Sequence, residues 1–579
     1  MRLHPPQRVQ EYTSAGWWGD AGTWDDAFRR CVAERPEAVA MIDPANVAAL
    51  TGAEPRRLTW AELDDQVDRL ATVLLARGVG VEDVVAVQLP NSVDLCVTYL
   101  AIARIGAVAT PLPMQFQRRE LTQLCGRLGA RTLITVGWFG EREYAVEAMA
   151  LRRHLPELST VLATGKDVPE GAVSLVDALA AADDRTALDA HVAGHTVDGN
   201  DCVTVCWTSG TEATPKAVPR SHFDWLAISW GSVDAPKLTA DDVLLNPFPM
   251  VNMAGIAGMF LPWLLTGSTL VQHHPFDLPT FLRQIASERV TYTLAPPALL
   301  TLLLLKPEIL AAADISPVRI LGSGSAPLST AMVRGWKDKH GIDVINYFGS
   351  NEGVSLVGDP EAIPDPDERA QFFPRIGAGG YTWPNRATRG TRTRIVDLTS
   401  GEEITEPGHP GELRIAGPTV FAGYLPGELG GELELSCFDE QGYFRTGDVF
   451  EIAARDDGDP RYYRYVDRSK DLVIRGGMNI SPAELEQLLA THPAVAEAAV
   501  VGYPDEVMDE RICAVLVPRP EADADVVLSL NAVRDFLAGE GVADYKLPER
   551  VELVPALPRN PVGKILKRDL RDSLRAASS

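Results

Sequence analysis

A run of hydroxyl, glycine and lysine residues follows an apolar stretch near the middle of the chain. The segment Thr208 to Lys216, with the sequence TSGTEATPK, comes directly after the apolar residues 202–207. Backbone N–H groups that glycine allows to approach a ligand closely, together with hydroxyls and one ammonium, can neutralise the oxygens of a polyphosphate. The segment differs from the common nucleotide-binding pattern GxxxxGK(S/T), because no Gly-Lys pair opens a helix. Taken alone, it is compatible with either a phosphate-binding loop or an ordinary Ser/Thr/Gly turn.

Four further segments carry side chains that could bind a ligand. Residues 346–353, NYFGSNEG, follow a predicted strand at 343–345 and place an aromatic ring, an amide and a carboxylate at its carboxyl end, where open α/β sheets bind ligands. Residues 443–448, YFRTGD, offer one carboxylate that could chelate two ribose hydroxyls. Residues 475–479, RGGMN, form a basic glycine-rich loop, and residues 559–564, RNPVGK, place a lysine after a turn. Each segment alone is also typical of a turn or of a solvated lysine.

Composition and charge describe a large globular protein with an acidic balance. The 579 residues are 46% hydrophobic and 23% charged, which is typical of folded domains, and the length suffices for several of them. The formal net charge of −25 argues against a nucleic acid or an anionic membrane surface as a partner. An anionic ligand would therefore have to meet a local basic cluster.

Cysteine usage and the apolar stretches bear on the compartment. The seven cysteines are scattered singly, which predicts neither a zinc site nor a disulfide framework and is typical of the reducing cytoplasm. The first twenty residues lack a continuous apolar core, and proline or glycine interrupts the apolar stretches 255–271 and 295–305. We therefore predict a soluble, cytoplasmic protein without a membrane span, present as a monomer or a homodimer.

The elements that must position these segments alternate between helices and strands. Thr59 and Glu62 form a capping box before a predicted helix whose residues Leu63, Val67, Leu70 and Leu74 share one face. Another helix is predicted at 93–104. Strands are predicted at 84–89, 107–111, 132–136, 203–207, 243–246, 269–272, 292–295 and 320–322. This alternation predicts mostly parallel sheets with helices, an α/β fold.

The pattern of predicted secondary structure changes twice in the last third of the chain. From about residue 390, short strands such as 391–396 and 411–415 predict a small β-rich subdomain. A short charged stretch at 467–471 then precedes a unit of about a hundred residues. In this unit a helix begins at Ser481-Pro482, strands follow at 495–501 and 511–517, and a second helix follows at 528–537. The predicted domains are therefore 1–469, with the β-rich subdomain at about 390–469, and a small α+β domain at 470–579.

Taken in order, the segments resemble those of the adenylate-forming superfamily, which includes acyl-CoA ligases, firefly luciferase and the adenylation domains of peptide synthetases. The motifs TSGTEATPK, NYFGSNEG, YFRTGD, DRSKDLVIRGGMNISPAELE and NPVGK stand in the family's order and spacing, and the resemblance covers about residues 24–571. It implies a large N-terminal domain and a mobile C-terminal domain that turns about a hinge, which falls here at Lys470.

The resemblance also implies a reaction in two halves. First, a carboxylate attacks the α-phosphorus of MgATP and gives an acyl-adenylate and pyrophosphate. Then a nucleophile, commonly a thiol such as that of CoA, displaces AMP. ATP, Mg²⁺ and CoA are thus the implied cofactor and co-substrates, and a small carboxylic acid is the implied substrate.

Residue roles follow from the resemblance position by position. It implies the phosphate loop at Thr208, Ser209, Gly210, Thr211 and Lys216, the adenine site at Gly324, Ser325, Ala326, Asn346 and Tyr347, the ribose contact at Asp448 and a further nucleotide contact at Arg468. Glu352, with Thr211, is the implied Mg²⁺ ligand. Lys564 resembles the lysine that bridges the carboxylate and phosphate oxygens during adenylation. Glu212, Ala213 and Ala217 depart from the commonest pattern of this loop but leave its hydroxyls and Lys216 intact.

The acyl pocket is implied at His222, Phe223, Asn252, Met253, Gly349, Ser350 and Val354. His222 could take part in the chemistry as a gate of this pocket, or it could be a satisfied structural histidine. The stretch Asp359 to Arg375 is longer than usual and could cover the pocket or lie on the surface. The mixture is mostly apolar, so we expect a medium-sized alicyclic, aromatic or aliphatic acid.

The acceptor of the acyl group is implied by the loop at the start of the last domain. Arg475, Gly476 and Gly477 would line the pantetheine entrance, and the continuation GMNISP to Pro482 favours CoA over a carrier protein. The expected enzyme is an AMP-forming acid–thiol ligase. A free-standing adenylating enzyme that delivers its acyl group to a carrier protein, an amine or another acceptor is the alternative. A nucleotide-binding protein without catalysis is disfavoured, because Lys216, Glu352, Asp448 and Lys564 are all retained.

Overall fold

The computed structural model describes most of the chain, and its contacts divide the chain into two units. The described residues are 1–19, 22–208, 215–453, 458–468, 471–475, 478–505, 508–520, 528–540, 542, 544–559 and 565–578. Among the described residues, unit 1 comprises the chain up to Thr393 together with Ile415–Phe444, and unit 2 comprises Arg394–Arg414 and the chain from Arg445 onward. The predicted boundary at residue 470 stays a prediction, and Lys470 lies outside the described residues.

Unit 1 contains two sheets. Its strands are β1 (Val39–Ile42), β2 (Arg57–Thr59), β3 (Val84–Gln88), β4 (Val108–Pro111), β5 (Thr132–Val136), β6 (Thr160–Thr164), β7 (Val173–Ser174), β8 (Cys202–Trp207), β9 (Ala217–Ser221), β10 (Val243–Asn246), β11 (Thr269–Gln272), β12 (Tyr292–Leu294), β13 (Ile320–Gly324), β14 (Asp343–Gly349), β15 (Ser355–Gly358) and β16 (Phe372–Pro374). One sheet has the order β7-β6-β5-β3-β4-β8-β9, the other has the order β15-β14-β13-β12-β10-β11-β1-β2, and β16 belongs to neither. Pairing is parallel inside both sheets and antiparallel at β8–β9, β14–β15 and β1–β2.

Helices cover the sheets of unit 1. They span Pro6–Ser14, Trp24–Glu34, Val47–Thr51, Trp60–Ala76, Val93–Arg104, Arg118–Arg127, Tyr144–Leu151, Leu175–Ala180, Thr186–Gly194, His222–Asp234, Met253–Gly255 continuing as a π-helix Ile256–Phe260 into Leu261–Thr266, Leu278–Ser287, Pro297–Leu305, Pro307–Leu310, Thr330–His340, Pro366–Gln371 and a 3₁₀ turn Arg386–Thr388. Within the described ranges, no helix combines the length and the apolarity that crossing a membrane requires.

Two helices show how local sequence specifies this layer structure. Thr59 and Glu62 form the predicted capping box at the start of Trp60–Ala76, and the predicted apolar face of that helix is buried. The helix Val93–Arg104 is buried at every residue but Asp94, in a core shared with β3, β10 and β11. A helix that is apolar on all sides belongs in such a position between two sheets. The predicted α/β fold class is confirmed.

The end of the helix Val93–Arg104 carries a buried charge network. The Arg104 guanidinium is fully buried and contacts the carboxylates of Asp25 at 2.9 Å, Asp64 at 2.8 Å and Asp68. Burial lowers the pKa of Arg104, but the three carboxylates outweigh burial and raise it overall. Because one cation holds three anions from two other helices, this network joins the helices Trp24–Glu34 and Trp60–Ala76 to the central helix.

Removing this cation is expected to destabilise unit 1. Arg104→Met leaves three partly buried carboxylates without their shared partner, and breaking a buried ion pair in this way costs about 3–5 kcal/mol. Arg29→Met is the matched control, because Arg29 is half exposed and pairs with the same Asp25 at 2.7 Å; exposed pairs contribute about 0–1 kcal/mol. Urea-unfolding midpoints of the three proteins measure the difference. Equal midpoints for both variants would contradict the assignment.

Unit 2 begins in a β-rich part and continues into a small α+β part. Its strands are β17 (Arg392–Val396), β18 (Glu403–Ile404), β19 (Pro410–Ala416), β20 (Phe444–Ile452), β21 (Tyr462–Arg468), β22 (Val473–Arg475), β23 (Met478–Ile480), β24 (Val495–Asp505), β25 (Asp509–Pro518) and β26 (Arg550–Leu553). The first five are hydrogen-bonded in the order β18-β17-β19-β20-β21, and the others form a sheet in the order β23-β22-β25-β24 with β26 beside β25. Its helices span Pro482–Leu489, Leu530–Gly539 and Lys567–Ser578, with a 3₁₀ turn Asp544–Lys546.

Strand β14 differs from the sequence-based prediction in its length. The predicted strand 343–345 continues to Gly349, because the residues beyond Ile345 pair with β15 from Asn346↔Gly358 to Gly349↔Ser355. The first half of the NYFGSNEG motif is therefore the end of a strand, and its side chains alternate between the two faces of the sheet.

Candidate active site

The two ends of the proposed phosphate loop are held together by hydrogen bonds. Strands β8 and β9 pair up to Trp207↔Ala217, so the loop closes a β-hairpin. The Thr208 N–H donates to the Lys216 carbonyl at 3.0 Å, and the Lys216 N–H donates to the Thr208 hydroxyl at 3.0 Å. Thr208 thus closes the base of the loop with its own side chain. The predicted ligands Ser209, Gly210 and Thr211 lie outside the described residues.

A tyrosine joins the cation of this loop to the proposed metal-binding carboxylate. The Lys216 ammonium lies over the ring of Tyr424, 5.0 Å from its centroid, and the Tyr424 hydroxyl donates to Glu352 Oε1 at 2.9 Å. Tyr424 was not among the residues predicted from the sequence. Its only signal is an aromatic residue after Gly423, and nothing in the linear sequence connects a residue at 424 to residues 216 and 352.

The turn that carries Glu352 is anchored from beneath by a buried arginine. Arg220 is fully buried, and its guanidinium donates to the carbonyl of Asn351 at 2.7 Å and to that of Thr419 at 2.9 Å. The Asn351 amide donates in turn to Trp207 O at 3.2 Å. Gly353 has a φ of +100°, and a Cβ there would lie 2.0 Å from Thr419 O, so only glycine fits. The position of Glu352 is therefore set by the backbone on both sides.

The arginine is itself fixed by a buried pair that reaches the start of the chain. Arg220 Nη2 donates to the Asp224 carbonyl at 3.0 Å, and His4 Nε2 lies 2.7 Å from Asp224 Oδ1. Burial raises the pKa of Asp224, but its contacts with His4 and Arg220 outweigh burial and hold the pKa below the usual range. The N-terminal segment thereby contributes to the rigidity of the Glu352 turn.

The residues predicted to frame adenine divide between two faces of β14. The Asn346 amide is buried and donates to the carbonyls of Arg369 at 3.1 Å and Ala370 at 3.0 Å. Tyr347 points to the opposite face, where its hydroxyl lies 3.1 Å from that of Tyr292. Phe348 shares the face of Asn346, which makes it an aromatic side chain of this edge that the sequence analysis did not single out.

The neighbouring loop after β13 is exposed. Gly324 ends β13 beside Tyr347, and a Cβ at Gly324 would lie 2.3 Å from the Tyr347 carbonyl, so the close approach of the two strands requires glycine. Ser325 has a positive φ of 68°, and both Ser325 and Ala326 are exposed. The loop therefore presents backbone groups at the carboxyl end of the sheet.

The Arg369 side chain anchors the stretch Asp359 to Arg375 to strand β14. Arg369 is fully buried and donates to the carbonyls of Val344 at 3.0 Å and Ile363 at 2.8 Å, and to the Asp343 carboxylate at 2.7 Å. The helix Pro366–Gln371 consequently packs behind β14, which accounts for the inward amide of Asn346.

His222 has the surroundings of a structural histidine. It is 1% exposed, and its Nδ1 accepts a hydrogen bond from the Trp24 N–H at 3.1 Å. Burial lowers its pKa to about 3, so the ring is neutral near pH 7. Phe223 stacks on Trp18 with ring centroids 4.5 Å apart, in a cluster with Tyr12. Both side chains thus pack against the N-terminal segment.

The stability of the protein in acid is expected to depend on His222. The pKa of His222 is about 3 in the folded protein and about 6.5 when unfolded, so the unfolded chain binds the proton first. Its contribution is present above pH 6.5 and is lost as the pH falls, by about 1.4 kcal/mol per pH unit. His222→Gln should flatten the pH dependence of the unfolding midpoint between pH 6.5 and 4. Parallel curves for the two proteins would contradict the buried neutral state.

The other predicted pocket residues meet around Met253. The Met253 N–H donates to Asn351 Oδ1 at 2.8 Å, and its side-chain Cε would lie 3.2 Å from a Cβ at Gly349. Asn252 caps this helix by accepting from the Ala254 N–H. Val354 is buried, and the Ser350 hydroxyl is buried without a hydrogen-bond partner among the described residues. Met253, Gly349, Ser350 and Val354 therefore surround the Asn351 turn.

In unit 2, the structure brings Asp448 and Arg468 together. They are register partners across β20 and β21, and Arg468 Nε lies 3.5 Å from Asp448 Oδ1. Arg475 donates to Glu549 Oε1 at 2.7 Å. Gly476, Gly477, Lys470 and Lys564 lie outside the described residues.

The donor set around Glu352 fits Mg²⁺ held mainly by a nucleotide. Within the described parts of the chain, no group of three His, Cys, Asp or Glu side chains is arranged for a metal ion. Mg²⁺ usually keeps several waters and binds through one or two carboxylates and substrate phosphates. Glu352 matches that role, because its Oε1 is fixed by Tyr424 and its Oε2 has no hydrogen bond or ion pair to any described residue.

Comparison with known proteins identifies the class. Residues 28–425 match the family model of AMP-binding enzymes, and residues 484–564 match the AMP-binding enzyme C-terminal domain. The chain therefore belongs to the adenylate-forming superfamily, and it is an adenylate-forming enzyme.

Three similar proteins illustrate the range of the family. The medium-chain fatty-acid–CoA ligase of Escherichia coli K12 is 30% identical over 572 residues, covering 98% of this chain and 93% of that protein. Pyochelin synthase PchD of Pseudomonas aeruginosa is 29% identical, covering 99% and 96%. The crystal structure of ATP-bound MatB from Rhodopseudomonas palustris is 28% identical, covers 96% of this chain and all of that chain, and has a TM-score of 0.77.

Proposed function

We propose that this protein is an AMP-forming acid–thiol ligase. It activates a carboxylic acid as its acyl-adenylate at the expense of MgATP, releases pyrophosphate, and transfers the acyl group to the thiol of CoA. The observation that carries the proposal is the joined arrangement of Lys216, Tyr424 and Glu352 at the base of the phosphate loop. The expected place of action is the cytoplasm, as a monomer or homodimer.

The electrostatics of adenylation support these roles. A carboxylate and a triphosphate repel each other, so the reaction needs positive charge where negative charge accumulates in the transition state. Lys216 would supply one such charge beside the loop, Mg²⁺ bound through Glu352 would supply a second, and Lys564, by its resemblance to the lysine of the family, would supply a third. Asp448 would hold the ribose, and Arg468, its partner across the strands, would hold the nucleotide.

The apolar surroundings of the Asn351 turn support a medium-sized acid. Met253, Gly349 and Val354 offer apolar contact, and the buried hydroxyl of Ser350 offers one polar group. Such a mixture suits alicyclic, aromatic or aliphatic chains with few polar substituents. His222 and Phe223, which were also predicted to line the pocket, pack against the N-terminal segment.

CoA is the proposed acceptor because of residues 475–482, near the start of the predicted C-terminal domain. Arg475, which pairs with Glu549, begins this segment, and the continuation GMNISP to Pro482 resembles that of the CoA-dependent members of the family more than that of the carrier-dependent ones. The Escherichia coli relative is a CoA ligase by name. The alternative is transfer to a carrier protein, an amine or another acceptor. Because the chain is also similar to pyochelin synthase PchD, which is not a CoA ligase by name, this alternative is tested as well.

A panel assay distinguishes these acceptors. Pyrophosphate release with MgATP is measured across aromatic, alicyclic and fatty acids, each with and without CoA, and products are identified by mass spectrometry. The proposal predicts acid-dependent release that CoA accelerates, with the matching acyl-CoA as product. Release that CoA does not change, with the acyl-adenylate as the end product, would overturn CoA as the acceptor.

A further inference from the structure

Tyr424 holds two groups of opposite charge at fixed places. The Lys216 ammonium rests over its ring, 5.0 Å from the centroid, and its hydroxyl donates to Glu352 Oε1 at 2.9 Å. A cation over an aromatic face is attracted by the ring quadrupole. A hydrogen bond to one oxygen of a carboxylate fixes the orientation of that carboxylate. One side chain therefore contacts both groups proposed to bind MgATP, without belonging to either binding motif.

The ring is held rigidly enough to serve as such a support. Tyr424 is 8% exposed. Its N–H donates to the Glu434 carbonyl at 3.2 Å, and its carbonyl accepts from the Glu434 N–H at 2.8 Å. Its ring packs edge-on against Phe421 with centroids 4.9 Å apart. A rigid side chain positions its partners at a lower entropic cost than a mobile one.

The same segment ties both motifs to one backbone. The Leu425 N–H donates to the carbonyl of Ala217, the residue after Lys216, at 3.0 Å. The Phe421 N–H donates to the carbonyl of Glu352 at 2.9 Å. Residues 421–425 consequently connect the end of the phosphate loop to the carboxylate turn, and Tyr424 projects from the middle of this connection.

From these contacts we propose that Tyr424 is a positioning residue for MgATP. Its hydroxyl holds Glu352 Oε1, so that Oε2 would be available to Mg²⁺, and its ring sets the place of the Lys216 ammonium, which would bind phosphate oxygens. This inference rests on the proposed MgATP site. It adds a residue whose effect is expected in the Mg²⁺-dependent part of nucleotide binding.

Equilibrium binding of ATP with Mg²⁺ and with EDTA separates this role from a structural one. Tyr424→Phe keeps the ring and removes the hydroxyl, so MgATP affinity should fall about tenfold while affinity for ATP in EDTA stays unchanged. Tyr424→Leu also removes the ring, so ATP affinity should fall in both conditions. The matched control is Tyr144→Phe, which removes a buried hydroxyl that donates to the Met114 carbonyl at 2.8 Å from a ring that also carries a guanidinium, that of Arg142, over its face. It should bind ATP like the wild type.

The outcomes distinguish the inference from the proposed function. If wild-type protein binds ATP equally with Mg²⁺ and with EDTA, the proposed metal site fails, and with it the basis of the inference. If the wild type depends on Mg²⁺ and Tyr424→Phe matches it, only the role of Tyr424 is overturned. In a Glu352→Ala background, Tyr424→Phe should have no further effect on MgATP binding, whereas an additive loss would show that the hydroxyl does not act through Glu352.

Discussion

Replacing Lys564 by alanine is expected to slow acyl-adenylate formation by about 10²–10³-fold, because the variant loses a donor aimed at charge that develops in the transition state. The proposed role of Lys564 is confined to the first half-reaction. Thioester formation from a supplied acyl-adenylate and CoA should therefore stay within a few-fold of the wild-type rate. The two half-reactions are measured separately, as ATP–pyrophosphate exchange and as consumption of synthetic acyl-adenylate.

Another lysine of unit 2 provides the control for this experiment. Lys546 pairs with the exposed Glu484 at 2.7 Å, and Lys546→Ala removes the same charge from unit 2 without touching a proposed site. It should leave both half-reactions unchanged. A Lys564→Ala enzyme that exchanges pyrophosphate at the wild-type rate would refute the role of the lysine, and equal losses in both half-reactions would point to a defect in folding or domain structure.

Glu352→Gln is the second change with a large expected effect. The amide keeps the size of the side chain and can still accept from the Tyr424 hydroxyl, but it loses the charge that would bind Mg²⁺. Adenylation should fall by about 10²-fold or more, and saturation should require higher Mg²⁺ concentrations. Pyrophosphate exchange measured against Mg²⁺ concentration at fixed ATP gives both quantities.

Glu361→Gln is the control for the loss of an acid in unit 1. Glu361 is exposed and pairs with Lys237 at 3.0 Å, so its replacement should change neither the exchange rate nor the Mg²⁺ dependence. If Glu352→Gln reduced the rate with an unchanged Mg²⁺ dependence, the carboxylate would act on the acid or the nucleotide instead of the metal.

Much of the fold was predictable because its signals are local. The capping box at Thr59 and the helix 93–104 appear as predicted, and the strands 132–136, 243–246 and 269–272 have the predicted bounds. Each of these elements is specified by its own caps and by a continuous or periodic apolar pattern. The extension of β14 to Gly349 was not predictable in this way, since it depends on pairing with β15.

The geometry of the site depends on contacts that are distant in sequence. Tyr424 meets Glu352 and Lys216 across 72 and 208 residues, and His4 meets Asp224 across 220. The Asn346 amide donates to the carbonyl of the buried Arg369. Arg369 belongs to the stretch Asp359 to Arg375, for which the sequence predicted either a cover over the pocket or a position on the surface. Motif spacing identifies which residues belong to a family pattern, but packing decides which face each side chain occupies.

The proposed function requires that a carboxylate oxygen of the acid forms a bond to the α-phosphorus of ATP. The most direct measurement uses the best acid of the panel with ¹⁸O in both carboxyl oxygens, followed by mass spectrometry of the nucleotide after complete turnover with CoA. Attack of the carboxylate on the α-phosphorus and later cleavage of the acyl C–O bond predict one ¹⁸O atom in each AMP. Unlabelled AMP, or ¹⁸O in inorganic phosphate with ADP as the product, would contradict the account.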